Sequence, residues 1–198
     1  MALFADCTLQ STENAPLSMS RHYIDPPKGK KESPADYDER TWRERLHYDA
    51  EENVFLNNMA FKWCISDSAR LLGMKIPGKG VATYSKYFDS GILVLQGMML
   101  GLKKNDVTPE KLFVPADGKH GSGKRVWRTF PLIPAWSGTV QFIILNRIIT
   151  PEVFTEHLEE AGRFIGLGRF RPQRGGYYGR FSVKNIEFTE DRPVSDEV

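Results

Sequence analysis

The fold is decided by a segment near the carboxyl end of the chain, TPEVFTEHLEEAGRFIGLGRFRPQRGGYYGRFSVK, which covers residues 150–184. Its first part predicts an amphipathic helix, with Thr150 as the N-cap, Pro151 at the first helical position and apolar residues at spacings of three and four. A stretch rich in glycine and arginine follows, and residues 181–184 are typical of a short strand. The segment therefore predicts a helix, a loop and a closing strand.

Hydrophobic patterns outside this segment predict one more helix and several more strands. The helix begins at Asn58 as N-cap and ends at Gly73. The other strands are predicted at residues 42–48, 92–95, 126–130 and 139–145, and residues 103–125 are predicted to form a long basic hairpin insertion. This order predicts an α+β fold of the ferredoxin-like (RRM-like) kind: a split βαβ sheet with two helices on one face and the other face free for a ligand.

The chain divides into three regions by composition. Residues 1–40 are polar, contain four prolines and a basic cluster, and predict an extended arm that a partner orders. Residues 41–188 are predicted to form the ferredoxin-like nucleic-acid-binding domain, and residues 189–198 an acidic, loose tail.

Composition narrows the setting in which the protein works. The formal net charge is only +2, but bases gather in residues 74–86, 119–128 and 163–184, so one basic face is expected. Two cysteines give no disulfide framework, and neither a membrane span nor a secretory leader is predicted. We therefore expect a cytoplasmic protein.

The most informative stretch for function is residues 162–180, which combine glycine, arginine and aromatic residues without an acidic side chain. Glycine allows the main chain to approach a ligand closely, guanidinium groups form forked hydrogen bonds to phosphate, and aromatic rings stack on unpaired bases. A tight surface turn is the alternative interpretation. The stretch favours binding of single-stranded nucleic acid, with RNA preferred and single-stranded DNA as the other choice.

The predicted nucleic-acid-binding residues are basic, aromatic or glycine residues that would extend this stretch into a track. They are Arg43, Arg45, Lys62, Lys75, Lys79, Lys86, Lys119, Lys124, Arg125, Trp127, Arg128, Gly166, Gly168, Arg169, Arg171, Arg174, Tyr177, Tyr178 and Arg180. Main-chain amides and arginines of residues 166–180 are expected to hold phosphates, which makes affinity largely independent of sequence.

Motifs that would indicate other chemistry lack the flanking residues or elements which that chemistry needs. Residues 118–124 have the spacing of a phosphate-binding P-loop, but Arg125 replaces the magnesium-binding Ser or Thr and a strand follows. The pair Gly166 and Gly168 comes after a helix and lacks the third glycine of a dinucleotide fingerprint. Four scattered histidines have no zinc-ligand spacing, so no metal and no cofactor is predicted.

Two motifs and the insertion resemble a known family, the RAMP superfamily of CRISPR-associated RNA-binding proteins. Residues 54–62, VFLNNMAFK, resemble its strand-to-helix corner, and residues 166–181 are similar to its glycine-rich loop before a late strand. Residues 103–125 resemble the thumb-like hairpin by which backbone subunits of effector complexes reach over the guide strand to a neighbour. The resemblance implies a ferredoxin-like fold, binding of RNA and a place in a bacterial cell or a phage-infected host. The compact length and the arm equally fit a stand-alone, phage-encoded relative.

The sequence thus predicts a non-enzymatic protein that binds single-stranded RNA or DNA and polymerises along the strand, as a homo-oligomer or as a subunit of a ribonucleoprotein. One alternative is a viral protein-binding inhibitor that mimics a backbone subunit of a host effector complex. A second is a RAMP-type endoribonuclease with His47 or His120 as general base and Lys124 or a loop arginine on the phosphate.

Overall fold

The computed structural model describes residues 2–116 and 123–190. Within them the chain forms strands β1 (Leu3–Ser11), β2 (Leu17–Ser18), β3 (Asn53–Leu56), β4 (Ile92–Leu93), β5 (Met98–Lys103), β6 (Thr108–Pro115), β7 (Arg125–Ile133), β8 (Ser137–Ile144) and β9 (Phe181–Glu190). The helices are α1 (Pro34–Thr41), α2 (Asn58–Leu72), α3 (Ser85–Gly91) and α4 (Pro151–Glu160). Short 3-10 turns lie at Trp42–Arg45, Lys104–Asp106 and Pro172–Arg174, and a π-helical turn at Ala161–Ile165 extends α4.

The central sheet has the strand order β4-β8-β1-β9, and every neighbouring pair is antiparallel. One face carries the buried apolar residues of β1 and β8. Helices α2 and α4 cover this face, because the Phe142 ring of β8 meets Phe61 of α2 edge-on at 6.4 Å between centroids and Phe154 of α4 at 5.3 Å. The mixed, antiparallel architecture confirms an α+β fold.

The opposite face of the central sheet is polar and acidic. Asp6 of β1 lies opposite Gln141 of β8 and Glu187 of β9 in the strand register, and Gln141 Nε2 donates a hydrogen bond of 2.8 Å to Asp6 Oδ1. Carboxylates repel a polyanion. The sheet face that was predicted to be open for a ligand therefore carries carboxylates at these positions and not cations.

Helix boundaries follow the predicted caps closely. Helix α4 starts as predicted, with the Thr150 hydroxyl accepting from the Val153 N–H at 3.4 Å and proline in the first turn. Helix α2 ends at Gly73 in the left-handed conformation, with φ +55°, also as predicted. Its N-cap is Asn57 and not Asn58: the Asn57 carboxamide accepts from the Met59 N–H at 2.8 Å.

Two sequence-based predictions were wrong at the amino end. Residues 3–11, assigned to the extended arm, form β1 at the centre of the sheet, because Ala5, Cys7 and Leu9 alternate inward and are fully buried. Residues 42–48, predicted as a strand, start with a 3-10 turn. Trp42 and Leu46 are both buried, and their spacing of four fits one face of a helical turn as well as it fits alternation.

The predicted insertion is a hairpin of β6 and β7, paired from Thr108 with Leu132 to Pro115 with Arg125. Strand β2 adds to the other edge of β7 and anchors the hairpin to the chain that follows β1. Residues 117–122 lie outside the described part of the chain. No helix within residues 2–116 and 123–190 is long and apolar enough to cross a membrane.

Candidate nucleic-acid interface

The glycine-arginine loop, residues 166–180, is folded tightly on itself and on β2. A Cβ on Gly179, at φ +67°, would lie 1.9 Å from the Leu167 carbonyl oxygen, and one on Gly168, at φ +72°, would lie 2.4 Å from that of Ser18. No side chain fits at these distances. The two glycines therefore serve close approach of the chain to itself, whereas the sequence analysis assigned them to close approach of a ligand.

Most of the loop's main-chain amides that were expected to hold phosphate are already used. They donate to carbonyls of the loop, of the π-helical turn and of residues 16–18, with N···O distances of 2.8–3.2 Å; the donors are Gly166, Leu167, Arg169, Arg174, Gly175, Gly176, Tyr178 and Gly179. A phosphate would have to break these bonds. Recognition at this loop consequently depends on side chains.

Two motifs that are far apart in the sequence meet in one cleft of about 490 Å³, which we call the tryptophan cleft. One wall is the corner from β3 into α2, and the other is the loop with Gly168, Arg169 and Arg171. The cleft is lined by Met19, Ser20, His47, Leu56, Asn57, Met59, Ala60, Trp63, Gly168, Arg169 and Arg171. It combines an apolar floor with a cationic edge.

Trp63 and Arg171 are the residues of this cleft best placed to meet a ligand. The Trp63 side chain is 60% exposed although the residue belongs to α2. Arg171 donates from Nε and Nη2 to Gln173 Oε1 at 3.1 and 2.8 Å, and Gln173 in turn donates to Asp67 of α2 at 2.8 Å. The guanidinium is thus oriented by a neutral amide and has no direct carboxylate partner among the described residues.

His47 lies in the same cleft but is poorly suited to carry charge there. Burial, followed by the nearby Arg21 charge, lowers its pKa below the usual histidine range. The ring is therefore neutral at pH 7. Its expected catalytic partner Lys124 lies on the separate hairpin, and His120 lies outside the described residues.

A second, smaller cleft of about 200 Å³ adjoins the first, and we call it the arginine cleft. It lies between the hairpin and the loop and is lined by Arg45, Val114, Pro115, Ala116, Arg128, Phe130, Arg169 and Phe170. Arg169 belongs to both clefts. The two clefts thus share this residue as a common wall.

Arginines of the second cleft are held in different ways. Arg45 Nη2 bonds Asp38 at 2.7 Å and its Nη1 donates to the Thr129 carbonyl, whereas Arg128 reaches the same carboxylate only at 3.5 Å. Arg169 Cζ lies 3.3 Å from the Phe130 ring centroid and 4.7 Å from that of Phe170. These cation–π contacts fix the guanidinium without neutralising it.

Along the hairpin, predicted ligand-binding side chains point into solvent. Trp127 is 64% exposed and packs against the partly exposed Phe113 ring at 5.3 Å between centroids. Arg125 donates to the Phe113 carbonyl at 2.7 Å and remains exposed, as Lys124 does. The hairpin therefore presents two adjacent aromatic rings flanked by cations.

Arg174, Tyr177 and Arg180 are exposed on the loop, but three other predicted residues are turned inward. Lys62 Nζ donates to the Phe88 carbonyl at 2.5 Å and to Ser66 Oγ at 3.0 Å, and burial lowers its pKa. Tyr178 is buried and its hydroxyl donates to Glu110 at 2.7 Å; burial, followed by this bond to a carboxylate, raises its pKa far above the usual tyrosine range. Gly166 is also buried. Lys62 and Tyr178 are therefore unsuited to the roles predicted for them.

The remaining predicted residues lie away from the two clefts or outside the described chain. Lys75, Lys79 and Lys86 follow the C-terminal end of α2, whereas the tryptophan cleft lies at its N-terminal half, and the helix of 15 residues is about 22 Å long. Arg43 is half-buried with its guanidinium over the Trp42 ring, 4.3 Å from the centroid. Lys119 falls within residues 117–122, outside the described residues.

Sequence reasoning missed Trp63, although a signal for it was present. The apolar stripe of α2 runs through Phe61, Cys64 and Ile65, so helical periodicity places Trp63 beside the stripe and toward solvent. An exposed aromatic residue offers a face on which an unpaired base can stack. The spacing alone could have selected it.

Comparison with solved structures supports the fold described above. No protein-family model matches the chain, and no curated protein matches it. The chain is similar to a chain of the cryo-EM structure of the Type III-B Cmr-beta bound to cognate target RNA, with a TM-score of 0.58 and 11% identity over 96% of this chain and 61% of that one. A chain of a CRISPR RNA-guided surveillance complex is similar at a TM-score of 0.41 and 15% identity, over 97% and 72% of the two chains.

The first of these similarities shows a shared fold. Because this chain spans about three-fifths of the length of that neighbour, about two-fifths of the neighbour has no counterpart here. The fold resembles that of a chain from the Type III-B Cmr-beta structure with bound target RNA, and the clefts described above are features of this chain's own side chains.

Proposed function

We propose that this protein binds single-stranded nucleic acid, RNA in preference to DNA, along the surface formed by the tryptophan cleft, the arginine cleft and the hairpin. The observation that carries the proposal is the meeting of exposed Trp63 with Arg171 and Arg169 in one cleft. A base needs an accessible aromatic face, and the neighbouring phosphate needs a cation a few ångströms away. The cleft offers both.

Fold and topology support a place for this chain in the RAMP superfamily. Counted through the central sheet alone, β1, β4, β8 and β9 are the first to fourth strands, and their order across the sheet is second, third, first, fourth. That is the strand order of a ferredoxin-like split βαβ fold, with α2 and α4 as the two crossover helices. The structural neighbour bound to target RNA favours RNA as the ligand.

Binding should be largely independent of sequence. The exposed groups are guanidinium and aromatic side chains, which recognise phosphates and the faces of any base. Affinity should therefore fall steeply with salt. The slope of log affinity against log salt concentration gives the number of phosphates that the protein neutralises. Residues 41–188 would form the binding domain together with β1, which comes from the amino-terminal region.

The direct test is fluorescence anisotropy with a labelled oligouridylate and the matching oligodeoxythymidylate, from low to high salt. The double variant Arg171→Gln, Arg174→Gln should weaken binding and flatten the salt dependence by up to about 1.4 in log–log slope, because each lost phosphate contact on a single strand contributes about 0.7. The matched control is Arg147→Gln, Lys184→Gln, two exposed cations outside both clefts. Wild-type protein that binds neither strand at low salt would overturn the proposal.

Polymerisation along the strand is part of the proposal, because the hairpin carries two exposed aromatic rings that one monomer leaves uncovered. Size-exclusion chromatography with and without a long oligonucleotide tests it. Species that grow with strand length support assembly as a homo-oligomer or ribonucleoprotein subunit. A single protein bound per long strand at saturating protein would contradict it.

We further propose that binding is not accompanied by strand cleavage. His47, which lines the tryptophan cleft, is half-buried with a lowered pKa, and among the described residues neither Asp nor Glu lines that cleft. Incubation with end-labelled RNA, with and without magnesium, tests this. Defined fragments whose formation depends on His47 would identify an endoribonuclease instead.

A further inference from the structure

The arginine cleft has properties that a general cationic surface does not need. Its volume of about 200 Å³ leaves room for a phosphate group. Three arginines from three different elements line it: Arg45 from the first 3-10 turn, Arg128 from β7 and Arg169 from the loop. Such convergence over a small volume is typical of a site for one compact anion.

Arg45 and Arg169 are held close together in spite of their like charges. Their Cζ atoms lie 5.2 and 3.3 Å from the same Phe130 ring centroid, so they are separated by at most about 8.5 Å. Burial, followed by the charge of Arg45, lowers the pKa of Arg169 to about 10, so it remains protonated at neutral pH. An anion in the cleft that both arginines line would offset their repulsion.

Arg169 also carries a donor without an acceptor. Its Nη1 is buried and has no hydrogen-bond partner within the part of the chain that the structure describes. An unsatisfied buried donor on a charged group is costly, and such groups in native proteins call for an explanation. A ligand oxygen would supply the missing acceptor.

Carboxylates near the cleft do not cancel its charge. Asp38 is shared between Arg45 and Arg128, and the Glu110 side chain accepts the Tyr178 hydroxyl through Oε1 while Oε2 is buried without a partner among the described residues. Glu110 acts on Arg169 only through its charge, as the third influence on its pKa. Within residues 2–116 and 123–190, three arginines face two carboxylates here, which leaves a positive excess beside the unsatisfied donor.

We propose that the arginine cleft is a discrete phosphate-binding pocket in which Arg169 is the fixed anchor and Arg45 and Arg128 complete the fork. The inference rests on the proposed function and deepens it, since the phosphate is either a terminal or an internal phosphate of the bound strand. The tryptophan cleft then holds an adjacent base, because Arg169 joins the two clefts.

The first experiment uses inorganic phosphate alone on the whole protein. At constant ionic strength, phosphate in at least tenfold excess over its Kd should raise the thermal midpoint of the wild type by a few degrees relative to chloride. The shift should vanish in Arg169→Gln and persist in the control Arg147→Gln. Because Arg169→Gln could disturb the loop, circular dichroism checks its fold, and Arg128→Gln at the half-exposed rim provides a second variant expected to weaken the shift.

The second experiment measures salt dependence with strands. Arg169→Gln should lower the log–log slope for oligouridylate by about 0.7, one phosphate contact. A 5′-phosphorylated strand that binds several-fold more tightly than the 5′-hydroxyl strand assigns the pocket to a terminal phosphate, and equal affinities assign it to an internal one.

The two proposals fail in distinguishable ways. Strand binding with a slope that Arg169→Gln and Arg128→Gln leave unchanged overturns the pocket and leaves the proposed function standing. A phosphate-dependent shift that needs Arg169 in a protein that binds no strand supports the pocket and overturns the proposed function. An equal phosphate shift in wild type and Arg169→Gln, or no shift in either, overturns the pocket.

Discussion

Asp38 of α1 and Arg45 of the following 3-10 turn form a buried ion pair, with Nη2 and Oδ1 2.7 Å apart. Asp38 also accepts from the Thr129 N–H of β7. The carboxylate therefore joins α1, the turn and the hairpin, and it sets the position of Arg45 in the arginine cleft.

Removing the charge of Asp38 should destabilise the protein strongly. Asp38→Asn leaves the Arg45 guanidinium buried without a counter-charge, and loss of one partner from a buried pair typically costs about 3–5 kcal/mol. Urea denaturation measures the change. The matched control is Glu39→Gln, whose exposed pair with Lys111 at 3.1 Å should contribute less than about 1 kcal/mol. Equal effects of the two substitutions would contradict this account.

Buried His157 should make stability depend on pH. Its ring stacks on Phe88 at 4.4 Å between centroids, its Nδ1 lies 2.6 Å from the Val153 carbonyl, and its Nε2 has no partner within residues 2–116 and 123–190. Burial, the largest influence, lowers its pKa. The unfolded chain then binds the proton more readily, so the contribution is fully present above the unfolded pKa of about 6.5 and is lost as pH falls below it.

The test is the change in free energy of unfolding between pH 7.5 and pH 5.5. His157→Phe should reduce this change while keeping the stacked ring. His47 also has a lowered pKa, so His47→Gln should remove a separate part of the pH dependence of stability. The double variant should lose both parts. A pH dependence that His157→Phe leaves intact would show that another group titrates.

Two glycines of the loop should respond differently to alanine. Both have positive φ, +67° at Gly179 and +80° at Gly175, so each substitution carries a backbone cost of about 1–2 kcal/mol. Only at Gly179 would the new Cβ also collide, 1.9 Å from the Leu167 carbonyl oxygen, whereas nothing lies within 4 Å at Gly175. Gly179→Ala should therefore be clearly less stable than Gly175→Ala by thermal denaturation; the reverse order would contradict the loop packing.

Local signals predicted the local structure well. Thr150 and Pro151 determined where α4 begins, and residues 103–125 were recognised as part of a hairpin, because caps and turns depend on neighbours in the chain. Strand β1 was not predicted from the sequence, because its alternating pattern depends on the small residues Ala5 and Cys7. The strand gains stability only by pairing with distant β8 and β9. Long-range pairing leaves little trace in a single strand.

The candidate site was predicted in its chemistry but not in its arrangement. Periodicity shows which face of a helix is apolar, yet it does not show which loop packs beside that helix. Trp63 and Arg171 line the same cleft, and Gln173 of the loop bonds Asp67 of α2 beside it, a contact between side chains that no local rule specifies. Composition equally did not distinguish the exposed Tyr177 from the buried Tyr178.

This difference between adjacent tyrosines gives a prediction. Tyr178→Phe removes a buried hydrogen bond to the Glu110 carboxylate and should reduce stability by about 1.5–3 kcal/mol with little effect on strand affinity once the protein is folded. Tyr177 is 57% exposed, so Tyr177→Ala should lower affinity with little effect on stability. Anisotropy and urea denaturation on both variants separate the roles; a loss of affinity confined to Tyr178→Phe would contradict them.

Trp63 provides the sharpest test of the interface, because it is exposed and its loss should not disturb the core. If a base stacks on its ring, Trp63→Ala should weaken binding of oligouridylate about 5- to 150-fold, the equivalent of about 1–3 kcal/mol. Leu71→Ala is the matched control, since Leu71 lies on the same helix with 58% exposure but outside both clefts. If the tryptophan cleft holds a base more closely than the hairpin does, most of the fluorescence quenching by a bound strand comes from Trp63. Quenching should then be smaller in Trp63→Ala than in Trp127→Ala. Unchanged affinity in Trp63→Ala would move the binding surface away from the tryptophan cleft.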